Sequence, residues 1–244
     1  GLNPFWYHIF NIIIHLLTGI ILFCVAAKTM SLPVVPERLR SLAPWIALLG
    51  SLIWLVHPVH IMAVSYTVQR FASLAALFLL SLLFYIHGRL AHSRRRMLFF
   101  GLSVLCGVLA IGSKQNAAML PVVILVHEYF FFMNLSYSAH KQKLLLSSLA
   151  LAVFAIILVI VFLGHDFVST LNRSFAERGM TPYLRVLTEA QVVVLYITLL
   201  IYPAPSRLAV DYDFPLSRGL FSPVSTFFAI IGLACLLGFS IYRA

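Results

Sequence analysis

Residues 57–85 read HPVHIMAVSYTVQRFASLAALFLLSLLFY, and this stretch decides the fold. Its first half carries two histidines, a glutamine and an arginine, whereas residues 71–85 are mostly apolar. An apolar run of this kind buries its side chains in lipid or inside a helical bundle, so a polar strip directly before it marks an aqueous boundary. The stretch therefore predicts a membrane-embedded helix that begins near Phe71.

The composition of the whole chain agrees with this interpretation. Of its 244 residues, 62% are hydrophobic and 10% are charged, whereas soluble domains average about 45–50% apolar and about 25% charged residues. The net charge of +10 falls largely in short loops beside apolar runs, where orientation and anionic headgroups explain it better than nucleic acid does. We therefore predict an integral membrane protein with membrane lipids, and no nucleic acid, among its partners.

Apolar segments recur along the chain and predict an all-α, polytopic transmembrane helical bundle. Several are shorter than the roughly 20 residues that cross about 30 Å of hydrocarbon. We therefore predict about seven or eight membrane helices, some short or re-entrant, within one module covering 1–244. Of these segments, 144–164 is predicted to span fully, while 97–111 and 119–133 are predicted to be shortened around the GSKQNA strip. The segments are 7–27, 42–56, 71–88, 97–111, 119–133, 144–164, 187–202 and 223–242.

The basic residues predict which loops face the cytoplasm. If the segments alternate across the membrane, nine lysines and arginines fall on one side and five on the other. The positive-inside rule assigns the richer side to the cytoplasm. The loop around Ser93 is then cytoplasmic, whereas the strip from His57 to Arg70 and the GSKQNA strip face outward.

The polar strips contain the candidate binding residues. Pro58 suits a first helical turn, which would bring His57 and His60 near one another. Three interpretations of the histidines stay open: hydrogen bonding to the local backbone, a metal pair without a third ligand, or contact with lipid phosphate. The three cysteines lie in apolar segments without disulfide or zinc spacing, and we predict no metal site.

Arg70 and Lys114 pose the same question on the same predicted side. Each is a cation beside an apolar helix, so it either snorkels to water or pairs with an anion. Because no acidic partner is evident in the sequence, a phosphorylated lipid is a candidate ligand for both.

The acidic residues carry weaker signals. Glu128 is predicted to be a solvated carboxylate at headgroup level. A helix that starts at Pro182 places Arg185 and Glu189 four residues apart, which favours a local ion pair. Asp211 and Asp213 lie in a loop, where two acids separated by one residue indicate little by themselves.

Four motifs resemble polytopic GT-C-type glycosyltransferases, in particular the membrane module of bacterial tetratricopeptide-repeat membrane proteins and the transmembrane-and-TPR O-mannosyltransferases. They are NPFWYHIFNIIIHLLTGIILF, HPVHIMAVSYTVQRFASLAALFLLSLLFY, GSKQNAAMLPVVILVHEYFFF and YPAPSRLAVDYDFPLS. The resemblance implies a polyprenyl-phosphate-linked sugar donor and transfer outside the cytoplasm, usually to a protein or a glycan. It also implies a bacterial inner membrane, with the His57 to Arg70 strip periplasmic.

The resemblance assigns roles to individual residues. Arg70 and Lys114 match basic positions of the family and would bind the donor phosphate. Met62 stands where the family often has glutamate or glutamine, and Gln115 stands where it commonly has glutamate. The catalytic acid of the family sits on the first external loop and is expected to precede Gly1, so the chain would lack the first helix, that loop and any C-terminal repeat domain.

Two functions therefore stay open, together with a less favoured transporter. The first is a membrane glycosyltransferase module, whose donor is the polyprenyl-phosphate sugar and for which a divalent metal is left open as a cofactor. The second is a non-catalytic homologue that serves as a membrane subunit or scaffold with partner subunits. The further polar residues expected in the cavity are His57, His60, Gln69, Gln115, Glu189, Asp211 and Asp213.

Overall fold

The computed structural model describes residues 5–65, 71–113, 115–132, 181–208 and 215–243. These ranges are helical and contain no β-strand. The chain separates into two compact units, Gly1–Leu145 and Leu146–Ala244, and each is described by itself. We number the described α-helices in chain order: α1 Phe5–Met30, α2 Glu37–Arg40, α3 Ala43–Val56, α4 Ile61–Ser65, α5 Phe71–Leu90, α6 Arg94–Ser113, α7 Leu120–His127, α8 Pro182–Ile201 and α9 Val224–Arg243.

Shorter helical turns extend or connect these helices. The segments Pro58–His60, Gln115–Met119 and Pro205–Arg207 are 3₁₀ turns. The π-helical segment Glu128–Phe132 directly continues α7. Such π segments frequently occur at functional sites, and this one contains the only acidic residue of the GSKQNA-to-EYFFF motif.

In the first unit, α1 packs against α3 on one side and against α5 on the other, while α5 packs against α6. Val25 of α1 meets Leu82 and Ile86 of α5 in a small apolar core. Outside this core the helices expose many large apolar side chains, such as Phe10 and Val104. Soluble proteins rarely expose apolar surfaces of this extent, whereas lipid solvates them well. The apolar helices therefore indicate an integral membrane protein.

The helices α5 and α6 form an antiparallel hairpin. Ser93 takes a left-handed backbone conformation, with φ of 57°, and reverses the chain within the three residues between the helices. Two buried serines then bond reciprocally: Ser81 Oγ donates to the Ser103 carbonyl at 2.7 Å, and Ser103 Oγ donates to the Ser81 carbonyl at 2.8 Å. Small hydroxyl residues of this kind allow membrane helices to approach closely.

In the second unit, α8 and α9 are joined by a buried polar network around Gln191. Its Nε2 donates to Ser217 Oγ at 2.8 Å and to Thr226 Oγ1 at 2.9 Å. Its Oε1 accepts from Ser225 Oγ at 2.7 Å, and Thr188 Oγ1 accepts from the Ser217 amide at 3.0 Å. The segment that precedes α9 is thereby fixed against α8 without a charged residue.

The described helices test most of the predicted segments. Seven of the eight are helical, and the eighth, 144–164, lies outside the described residues. By length and composition α1, α6 and α8 could cross a membrane. The apolar stretches of the other helices are shorter, at Ala43–Val56, Leu74–Leu90, Asn116–Phe132 and Val224–Ser240. The count of seven or eight membrane spans therefore stays a prediction.

The predicted shortening stays a prediction for segment 119–133 and is wrong for segment 97–111. The helix α7 is continuous with the 3₁₀ turn Gln115–Met119 and the π segment Glu128–Phe132, and the residues that follow lie outside the described ranges. The prediction for α6 is wrong, because the helix runs for 20 residues, Arg94–Ser113, which corresponds to about 30 Å. Its arginines continue the helix beyond the apolar run, which hydropathy alone does not reveal.

Gly88 provides a test of the hairpin packing. A methyl group at this position would lie 2.9 Å from two ring atoms of Phe100, so we expect Gly88→Ala to lower the free energy of unfolding by about 1–3 kcal/mol. The matched control is Gly101→Ala in α6, where nothing lies within 4 Å and alanine should be neutral or stabilising. Thermal unfolding in detergent measures both, and equal unfolding temperatures would contradict this packing.

Candidate functional site

The predicted polar strip begins at the C-terminal end of α3. His57 accepts a hydrogen bond at Nδ1 from the Val59 amide at 3.3 Å, and Pro58 occupies the first position of the following turn. The predicted helix start at Pro58 is confirmed. So is the proximity of the two histidines, because the ring centroids of His57 and His60 lie 6.2 Å apart.

A third histidine and a tryptophan complete this cluster. His15 of α1 stacks on Trp54 at 5.0 Å and lies 5.4 Å from His60. Trp54 in turn contacts His60 at 4.4 Å between ring centroids. Nε2 of His15 lies 2.9 Å from the Leu55 carbonyl, which ties α1 to the end of α3. We call His15, Trp54, His57 and His60 the histidine–tryptophan cluster.

Sequence reasoning did not assign His15 to the site. A signal was present, because Asn11 and His15 lie four residues apart on one face of an apolar helix, where polar side chains are functional candidates. Asn11 donates from Nδ2 to the Val64 carbonyl at 3.5 Å. Both residues are nearly buried, so α1 presents them to the chain that follows α3.

The cluster offers imidazole nitrogens as hydrogen-bonding groups. Burial lowers the pKa of His60, and the neighbouring His15 and His57 lower it further. The neutral form of an imidazole has one donor and one acceptor nitrogen, which suits hydroxyl groups. Within the described ranges, no group of three or more His, Cys, Asp or Glu residues could hold a metal ion.

Several predicted site residues are not tested by the described geometry. Only the backbone of Gln115 is described, at the start of its 3₁₀ turn. The predicted roles therefore stay predictions for the residues outside the described ranges, which are Gln69, Arg70, Lys114, Asp211 and Asp213.

The opposite end of the first unit contains a buried ionic cluster. Arg89 binds both carboxylate oxygens of Glu128, with Nη2–Oε1 at 2.8 Å and Nε–Oε2 at 2.9 Å. The Tyr85 hydroxyl donates to Oε2 at 2.7 Å, and the guanidinium of Arg89 lies 5.0 Å from the ring centroid of Phe132. The prediction that Glu128 is a solvated carboxylate is therefore wrong, since its side chain is 17% exposed and fully paired.

A buried histidine adjoins this ionic cluster. Nε2 of His127 lies 3.0 Å from Oγ1 of Thr29, and its ring packs against Phe131 with centroids 4.8 Å apart. Nδ1 of His127 has no hydrogen-bond partner among the described residues. The residues Thr29, Arg89, His127 and Glu128 thus join α1, α5 and α7 at one end of the unit.

Glu189 lies in the second unit, on α8. It forms the predicted i, i+4 ion pair with Arg185 on α8, and the helix starts at Pro182 as predicted, with Thr181 as its cap. Both side chains are more than two-fifths exposed. The ion-pair prediction is confirmed.

Comparison with known proteins supports a relation to one class of membrane enzyme. The chain is similar to two proteins named protein O-mannosyl-transferase TMTC1. The mouse protein is 32% identical over 150 residues, which is 58% of this chain, and the human protein is 32% identical over 142 residues, or 55% of this chain. The chain spans 14% and 15% of their respective lengths. No family model and no solved structure matches the chain.

A double-mutant cycle on Arg89 and Glu128 measures how much their ion pair contributes to stability. Removing one partner leaves the other poorly solvated, so we expect Arg89→Gln or Glu128→Gln to lower the free energy of unfolding by about 1–3 kcal/mol, less than for a fully buried pair. The double variant Arg89→Gln/Glu128→Gln should lose less free energy of unfolding than the two single variants lose together. The exposed pair Arg185 and Glu189 is the control, with an expected coupling of about 0.5 kcal/mol or less. Equal couplings in the two double-mutant cycles would contradict the difference in burial.

The histidine–tryptophan cluster predicts a loss of stability in acid. Because the pKa of His60 is below its usual value in the folded protein, the unfolded chain binds a proton first as pH falls below about 6.5. The stability that depends on neutral His60 is therefore fully present above this pH and declines below it. His60→Gln should reduce the change in unfolding temperature between about pH 7.5 and 5.5. The exposed His92 supplies the control His92→Gln, and an unchanged pH profile in His60→Gln would disprove the prediction.

Proposed function

We propose that the chain is a membrane glycosyltransferase module that uses a polyprenyl-phosphate-linked sugar on the extracytoplasmic side, with a protein or glycan as acceptor. The observation that carries this proposal is the 32% identity, over more than half of the chain, to proteins named O-mannosyl-transferases. On this proposal the loop around Ser93 faces the cytoplasm and the His57 to Arg70 strip faces outward. The bacterial inner membrane stays a prediction, because both reported relatives are mammalian.

The geometry of the α5–α6 hairpin supports one donor site rather than two separate basic positions. Ser81 bonds to Ser103, and Gly88 lies beside Phe100, so the antiparallel register brings the start of α5 to the end of α6. Arg70 directly precedes α5 in the chain, and Lys114 directly follows α6. We propose that both cations bind the phosphate of the donor lipid.

The histidine–tryptophan cluster supplies the polar surroundings that such a donor needs. His57 and His60 begin the same strip that ends at Arg70, and α1 contributes His15 from inside the apolar bundle. An aromatic platform beside hydrogen-bonding imidazole rings suits the hydroxyl groups of a sugar. Catalysis itself needs a carboxylate to deprotonate the acceptor hydroxyl, and the described part of the cluster contains none.

This lack of an acid within the cluster, together with Met62 and Gln115, favours a second candidate function. On this alternative the chain is a non-catalytic membrane subunit or scaffold. The two functions differ in one property, because a scaffold does not need to bind the donor lipid.

Removing the two cations tests the donor site. A charge-assisted hydrogen bond contributes about 1.5–3 kcal/mol, so we expect Arg70→Ala or Lys114→Ala to weaken the binding of polyprenyl phosphate by roughly tenfold to a hundredfold. Arg70→Lys should restore only part of it, since an ammonium cannot reproduce the planar fork of arginine. Native mass spectrometry of the purified protein measures the bound lipid directly.

The control for this experiment is Arg185→Ala, which removes an equal charge from an exposed ion pair and should leave lipid binding unchanged. Equal binding by the wild type, Arg70→Ala and Lys114→Ala would reject the donor site. No binding by any of them, with normal folding, would favour the scaffold. Transfer of labelled sugar from polyprenyl-phosphate sugar by membranes that contain the complete gene product would then decide between the two functions.

A further inference from the structure

A basic pocket lies at the end of the first unit where α1 and α5 end and α6 begins. It has a volume of about 780 Å³. Its polar lining is entirely basic or imidazole, and its apolar lining continues onto the helices. We call it the basic pocket, and its lining residues are Lys28, His87, His92 and Arg95, with Leu90, Ala91, Leu98 and Phe99.

Within the described ranges, no carboxylate is paired with the cations that line the basic pocket. Residues 1–145 contain eleven lysines and arginines but only two acidic residues, Glu37 and Glu128. Glu128 is bound by Arg89. Among the described residues, neither Lys28 nor Arg95 forms an ion pair, so the two cations that line the pocket face it together without a carboxylate.

Arg89 and Arg96, the neighbours of Arg95, have partners among the described residues. Arg89 contacts Glu128 and the ring of Phe132, and the guanidinium of Arg96 lies 5.7 Å from the ring centroid of Phe100. Arg95 instead lines the pocket beside His87, whose ring stacks on Phe99 at 5.3 Å. The pocket thus combines an aromatic wall with a guanidinium that forms no ion pair within the described part of the chain.

The position of these arginines in their helix increases the need for an anion. Arg94, Arg95 and Arg96 occupy the first turn of α6, which contains no acidic residue. The N-terminal end of a helix carries partial positive charge and favours anions rather than cations. A bound anion would offset the repulsion between the arginines and the positive end of the helix, and also the repulsion among the arginines themselves.

We propose that the basic pocket binds a phosphate group, carried by the headgroup of an anionic phospholipid. Lysine supplies a point charge, arginine supplies a planar fork that matches phosphate oxygens, and the histidines supply further donors. The apolar lining by Leu98 and Phe99 suits the upper acyl chains of a lipid, which a free ion does not have. The site lies at the opposite end of the first unit from the histidine–tryptophan cluster and does not depend on the proposed sugar transfer.

The test compares a pocket variant with a control of equal charge. Delipidated wild-type protein, a Lys28→Gln/Arg95→Gln variant and an Arg38→Gln/Arg40→Gln variant are titrated with phosphatidylglycerol or phosphatidylcholine in neutral detergent, and bound lipid is measured by native mass spectrometry. Arg38 and Arg40 lie on α2 and do not line the pocket. We expect the wild type and the control to prefer phosphatidylglycerol by about tenfold or more, and the pocket variant to lose most of that preference.

Further measurements separate the two sources of phosphate and guard against misfolding. If inorganic phosphate displaces phosphatidylglycerol at millimolar concentration, the phosphate site stands and its natural ligand is a soluble phosphate. Circular dichroism and size-exclusion profiles should match the wild type, and Arg95→Lys, which keeps the charge, should retain a measurable preference. Equal losses in the pocket and control variants, or no preference in the wild type, would overturn the proposal.

Discussion

The fold depends on one constraint: a polar group among apolar helices must find its partner within the protein. The reciprocal bonds between Ser81 and Ser103 meet this requirement in the α5–α6 hairpin, and the Gln191 network meets it between α8 and α9. An unsatisfied polar group in hydrocarbon costs several kcal/mol. These contacts therefore fix helix register where apolar packing, with lipid as a competing partner, cannot do so.

The same constraint explains why the two ends of the first unit differ chemically. At one end, imidazoles and an indole pack together while His15 and His57 bond to backbone groups. At the other end, Glu128 compensates Arg89 while Lys28 and Arg95 remain uncompensated by described residues. The first end therefore offers aromatic faces and imidazole nitrogens, and the second offers positive charge.

The sequence predicted the parts of this arrangement that depend on local patterns. Hydropathy located the helices, Pro58 and Pro182 marked two helix starts, and the four-residue spacing of Arg185 and Glu189 predicted their ion pair. It did not predict the pairing of Glu128 with Arg89, because these residues lie 39 positions apart and meet only after α5 and α7 pack. His15 escaped assignment for the same reason, since its partners Trp54 and His60 come from later in the chain.

The length of α3 has a consequence for the membrane itself. Its 14 residues extend for about 21 Å, well short of the roughly 30 Å of hydrocarbon in an average bilayer. A helix of this length can cross only where the lipids beside it compress and the headgroup surface dips toward its end. If α3 crosses the bilayer, the indole of Trp54 and the ring of His57 meet water at a depth where an undeformed bilayer is dry. Hydrophobic mismatch at α3 would then thin the membrane locally beside the histidine–tryptophan cluster.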